Sequence, residues 1–256
     1  MNPWEKGVWY LTMGLTAAVL IRLYTTGLLR IYKLLFFYLA TDLVSSVVAL
    51  FIPFHTALYA RYYFTAQTLK IVIAAFMLME IYSVALERHP ALARFGRSIV
   101  GYIMAGALLI PAIFLIRDHG GTAHPFVHAF LLFEQTIDAT MAIFLILISG
   151  FLTWFPVRMR RNVIVYMGGF ILWSLSRSAM VHMINQWFNN VDLTRPANIV
   201  QMCVTLGCLL LWMLGLKREG EARTAVVGHL WNRAEAERLT EQLDAINDGL
   251  ERLRRR

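Results

Sequence analysis

Apolar runs of 17 residues or more recur along most of the chain, and no other feature restricts its fold so much. A bilayer core of about 30 Å needs roughly that length of apolar helix to cross it. The runs are Val8 to Tyr24, Tyr32 to Ile52, Tyr62 to Leu86, Ile99 to Ile116, Pro125 to Trp154, Asn162 to Phe188 and Pro196 to Leu216. They predict an all-α, polytopic membrane protein with seven transmembrane helices over residues 1–216. Charged residues make up only 16% of the 256, against roughly 25% in an ordinary soluble domain, which excludes a disordered chain and argues against a soluble enzyme. Glu5 and Lys6 precede the first run and no small-residue cleavage site follows it, so it reads as a retained span.

The net charge of +8 is spread over the short breaks between runs and not gathered in a patch. It therefore carries topology information and does not point to nucleic acid. Breaks after the first, third and fifth spans hold Arg22, Arg30 and Lys33, then Arg88, Arg94 and Arg97, then Arg158, Arg160 and Arg161. Those on the other side hold Arg61, Arg117 and Arg195, with Lys6 on the N-terminal flank. The positive-inside rule then predicts the N-terminus outside and the C-terminus in the cytosol. A bacterial cytoplasmic (inner) membrane is the expected location. Pro111 is expected to kink the fourth helix, and the other prolines near spans fall in breaks or first turns. Cys203 and Cys208, five residues apart, point about 140° apart on a helix and cannot pair with each other.

Composition changes after Leu216: residues 217–256 carry 17 charged side chains and the first 216 carry 23. Within this tail Ala236, Leu239, Leu243, Ile246, Leu250 and Leu253 are spaced as one seam of a heptad helix over about residues 230–254. Such a seam serves a homodimer or a cytosolic partner through Leu239, Leu243, Ile246 and Leu250. The alternative is a helix lying under the membrane face or docked on the cytoplasmic loops.

Ionisable residues inside spans are costly and normally face the bundle interior, which makes them the candidate ligand or ion site. Six lie well inside: Asp42, Lys70, Glu80, Glu134, Asp138 and Arg177. At about 1.5 Å per residue, Lys70, Glu134 and Arg177 fall at similar depths below the outer ends of their helices. Asp138 follows Glu134 by one turn. A buried cluster of Lys70, Arg177, Glu134 and Asp138 is expected if their helices are neighbours. Glu80 lies nearer the cytoplasmic side, among Phe76, Met77 and Met79. With four acids against two bases, full ionisation leaves two negative charges without a partner, so an acid is protonated or meets a cation. Gln201 belongs to a polar stripe of Asn198, Gln201, Thr205 and Cys208 on the seventh helix; Tyr38, Asp42 and Ser45 form another on the second.

No catalytic or cofactor motif is complete, so neither an enzyme nor a cofactor is expected. His119, His124, His128 and His182 cluster near outer span ends without any recognisable zinc-ligand spacing. Seven spans with an outside N-terminus resemble the plan of the heptahelical receptors, and Glu87-Arg88-His89 is similar to the acidic-Arg-aromatic triplet of the rhodopsin-like ones. The sixth span has Trp173-Ser174-Leu175 where those receptors have Cys-Trp-x-Pro, and the seventh lacks Asn-Pro-x-x-Tyr and any Schiff-base lysine. The whole chain resembles uncharacterised seven-helix membrane proteins of environmental bacteria, a resemblance that implies no activity. Three functions follow in order of support. They are a receptor or sensor with an outer-half polar pocket and output through the tail helix, a proton or cation conduit using the intramembrane carboxylates, and a metal-dependent lipid hydrolase.

Overall fold

The computed structural model describes residues 3–53, 56–87, 89–117, 125–155, 158–186, 191–222, 224–226 and 233–254. Seven long helices come first: α1 (Pro3–Thr25), α2 (Lys33–Phe51), α3 (Ala57–Ala85), α4 (Pro90–Arg117), α5 (Pro125–Trp154), α6 (Arg161–Gln186) and α7 (Val191–Gly215). A short α8 (Arg218–Ala222) and the tail helix α9 (Arg233–Arg254) follow. Among the described residues, six of the helices contain a stretch long and apolar enough to cross a membrane: Trp4–Thr25, Lys33–Phe51, Arg61–Ala85, Leu132–Trp154, Arg161–Ile184 and Pro196–Gly215. These mark the chain as an integral membrane protein. The expected fourth span lies inside α4, where the side chains of residues 107–117 are outside the described residues.

Helix starts precede the expected spans by five residues or more in α1, α3, α4 and α7, and the last two change how prolines and basic residues are placed. α4 begins at Pro90, so Arg94 and Arg97 are helical and not part of a break, and the helix continues through Pro111. Proline suits the first helical position because its missing N–H has no intrahelical acceptor there. α7 begins at Val191, which leaves Pro196 inside the helix and not in its first turn. An element absent from the sequence reading is a two-stranded antiparallel ribbon, β1 (Arg158–Arg160) with β2 (Thr224–Val226). Strands of three residues are too short to show a two-residue hydrophobic period.

The long helices close a ring in chain order: each packs on the next, and α7 returns to α1. α3 also packs on α5 and α6 and so occupies the interior. Buried Met77, Leu78 and Ile81 of α3 meet Ile137, Met141 and Leu145 of α5 and Tyr166 and Phe170 of α6 in one core. Outside it Phe37, Tyr102, Leu147, Val200 and Leu214 are exposed, the apolar exterior that lipid requires and water does not favour.

Two glycines are needed where they stand. Gly27 takes a φ of +75° and turns the chain from α1 into a short 3-10 helix, Leu28–Arg30, a backbone geometry costly for other residues. Gly169 lets α6 approach α7: any Cβ there would collide with the Trp212 indole, and the Gly169 carbonyl accepts a hydrogen bond from Cys208 Sγ at 3.4 Å.

Candidate functional site

The bundle end that carries the starts of α1, α3, α5 and α7 holds a cavity of about 900 Å³ between α1, α2, α3 and α7, with α6 on its inner side. Charged side chains converge on it from several helices: Glu5, Asp42, Lys70 and Arg177. Trp9, Tyr59, Tyr62 and Tyr63 supply an aromatic wall, and the Tyr62 hydroxyl donates to the Ser45 carbonyl at 2.8 Å, joining α3 to α2. Convergent polar groups inside a largely apolar bundle are the usual character of a ligand site.

The buried charges resolve into two linked sets. Lys70 of α3 pairs with Asp42 of α2, Nζ to Oδ1 at 3.1 Å. Arg177 of α6 lies between two carboxylates of α5: its Nε donates to Asp138 Oδ2 at 3.0 Å and its Nη2 pairs with Glu134. Gln67 Nε2 of α3 donates to Glu134 Oε1 at 2.8 Å and ties this group to the α3 face that carries Lys70. The Arg177 guanidinium also stands 5.5 Å from the centroid of the Trp173 ring, a cation–π contact, and Trp173 meets Tyr38 edge-on. Glu134 and Asp138 are each only 1% exposed, so their ionised forms depend on Arg177.

The expected cluster is thus present around Arg177, whereas Lys70 has Asp42 as its carboxylate. The reason is hairpin geometry. Asp42 and Lys70 each lie 14 residues from Thr56, where α2 turns into α3, so antiparallel packing brings them level. Gln201 of α7 lines the same cavity, is 8% exposed, and its Oε1 has no hydrogen-bond partner among the described residues. Gln67 was not singled out from the sequence, although it precedes Lys70 by one turn on the same face.

Glu80 is not part of this group. It sits ten residues along α3 from Lys70, about 15 Å toward the tail end. Its Oε1 accepts the Leu34 N–H at 3.2 Å and its Oε2 the Tyr166 hydroxyl at 3.2 Å. Leu34 is in the first turn of α2, whose N–H groups have no intrahelical acceptor, so a carboxylate from α3 caps α2 and meets the positive end of its dipole. Between Glu80 and Arg177 the interior is filled by Ala74, Met77, Leu78, Ile137, Met141 and Phe170, all buried.

At the tail end, sequence reading missed a second polar network. Glu221 of α8 accepts from Tyr32 at 2.7 Å, from Asn162 Nδ2, and from Arg160 Nη1 at 3.1 Å. Arg160 Nη2 also reaches Glu87 at 2.5 Å, and Asn162 accepts from the Lys217 N–H at 3.2 Å. Tyr32 packs edge-on against Tyr166, the partner of Glu80. One carboxylate therefore holds the α1–α2 junction, the α6 start and the ribbon together. α9 docks alongside, on the start of α4 in the same chain. Asn247 Oδ1 accepts the N–H groups of Ala91 and Leu92 at 3.0 and 3.4 Å, a side-chain cap supplied from another helix. Asp244 pairs with His89 at 3.3 Å and Glu251 with Arg94. Of the expected oligomerisation seam, Leu243 is buried, Leu239 and Leu250 are half-buried and Ile246 is 48% exposed, so much of it is used within the chain.

His119, His124 and the side chain of His128 lie outside the described residues; His182 Nδ1 is 2.8 Å from Gln135 Nε2. Among the described residues no group of three His, Cys, Asp or Glu side chains is arranged to hold a metal ion. No family model, no curated protein and no solved structure matches the chain.

Proposed function

We propose that the protein is a seven-helix membrane receptor or sensor. Its ligand enters the cavity bordered by Asp42, Lys70, Arg177 and Gln201, and its output element is the tail helix α9. In this reading α4 is the seventh membrane span, the N-terminus is outside and the Arg-rich end with α9 is cytosolic, which agrees with the Lys and Arg asymmetry of the breaks.

The observation that carries the proposal is the pairing of an accessible charged cavity with a mostly apolar, closely packed interior beneath it. The lining that α6 gives the cavity is Met180 and, one turn deeper, Arg177. From Arg177 to Tyr166 along α6 is 11 residues, about 16 Å, and the buried side chains of that layer are mostly apolar, Ala74, Met77, Leu78, Ile137, Met141 and Phe170, with Ser174 a buried hydroxyl among them. A proton or cation conduit needs polar groups or water through that layer; a sensor needs a closed core that can repack. The contacts of Tyr32 with Glu221 of α8 and of the α4 start with Asn247 of α9 are the route to the cytosol in this reading.

Flux in proteoliposomes separates sensor from conduit. Purified protein is expected to give proton and sodium flux no greater than protein-free liposomes, at neutral and acidic pH, with Glu134→Gln and Asp138→Asn variants giving the same trace. Flux above background that disappears in either variant would replace the sensor by a channel or transporter.

A further inference from the structure

We infer that the cavity takes a small organic cation, a protonated amine with an aromatic or similarly flat apolar portion. The inference rests on the sensor reading for the cavity's purpose, and on four observations for the ligand's chemistry.

The first is the charge balance. Asp42 lines the cavity, Glu134 and Asp138 stand directly behind Arg177, and among the described residues the cations paired with these three carboxylates are Lys70 and Arg177. The surroundings are negative when all are ionised. The second is that both cations are already engaged. Lys70 is held by Asp42, and Arg177 by two carboxylates, so neither presents an uncompensated charge to an anion. The third is Gln201 Oε1, a buried acceptor on the cavity wall without a donor among the described residues. An unpaired buried acceptor is costly, and an ammonium N–H removes that cost. The fourth is the aromatic wall. Trp9, Tyr59, Tyr62 and Tyr63 offer π faces that attract a cation and stack an aromatic ligand, and Tyr59 and Tyr63 are themselves stacked at 6.5 Å.

A ligand of this class places its ammonium between Gln201 and Asp42 and its ring against the tyrosines. An anion of the same shape meets the carboxylates instead and loses those contacts.

The test uses purified full-length protein and three probes of matched size: 2-phenylethylammonium, neutral 2-phenylethanol and 3-phenylpropanoate. Calorimetry is expected to show the ammonium bound at least about tenfold more tightly than either other probe, the worth of one charge-assisted hydrogen bond. Gln201→Leu, which keeps the volume and removes the acceptor, is expected to remove most of that preference. Asp42→Asn is expected to do the same by cancelling a negative charge. Tighter binding of the carboxylate overturns the inference while leaving a ligand-binding cavity in place. Binding of none of the three, or an ammonium preference unchanged in both variants, also overturns it; the sensor reading is then decided by the movement of α9.

Discussion

Arg177→Ala is expected to cost more stability than any other single substitution in the bundle, about 3–5 kcal/mol, because it leaves two buried carboxylates without their cation. The ion pairs of Asp138 with Nε and of Glu134 with Nη2 both end on the Arg177 guanidinium, and Asp138 Oδ1 already has no partner among the described residues. For a chain of this size the loss corresponds to a fall in Tm of roughly 10 °C in detergent. A triple variant, Arg177→Met with Glu134→Gln and Asp138→Asn, removes all three charges together and is expected to recover most of that loss, since the penalty lies in unpaired charge and not in lost volume. If the single variant matches wild type in Tm, Arg177 does not compensate these carboxylates. If the triple variant is no better than the single, the cost is one of packing.

Glu221→Ala is the second large effect, expected near 2–4 kcal/mol for the loss of an acceptor shared by three donors, one of them an arginine. Glu221→Gln keeps the shape and one acceptor oxygen, and is expected to cost about half as much. The loss has a specific location. Tyr32, Asn162 and Arg160 belong to the α1–α2 junction, the start of α6 and β1, so amide exchange is expected to rise at that end of the bundle and not around Arg177. Uniform exchange across both ends would mean that the network does not act as a local tie.

How much of this was readable in the sequence depends on the range of the interaction. Membrane helices were legible because a run of 17 apolar residues is a local signal with one physical reading. The Arg177 group was legible because depth along a helix is arithmetic, and hairpin neighbours such as α5 and α6 are the packing a short connection favours. Lys70 with Asp42 follows the same rule once both are counted from Thr56. Glu221 with Tyr32 was not legible, since 189 residues separate them and only the closing of the ring by α7 on α1 brings the two ends of the chain together. The same holds for α9. Its seam of Leu239, Leu243, Ile246 and Leu250 reads equally as a coiled coil or as a docking face, because hydrophobic spacing specifies that a stripe is covered and not what covers it. Asn247 lies off that seam, and its partner is the first turn of α4, a helix end expected nine residues further along.

The central claim is that occupancy of the cavity is read out by α9, and distance measurement by double electron–electron resonance tests it most directly. Spin labels at cysteines replacing Arg97 of α4 and Gln242 of α9, both exposed, report the docking of the tail helix in a background of Cys203→Ser and Cys208→Ala. Ala66 lines the cavity, and Ala66→Trp fills it with a fixed aromatic occupant whatever the natural ligand is. The expected result is one short distance in the parent protein and a second, longer population when the tryptophan is present, as α9 leaves the start of α4. An unchanged distance distribution in a folded Ala66→Trp protein would contradict the coupling of cavity to tail.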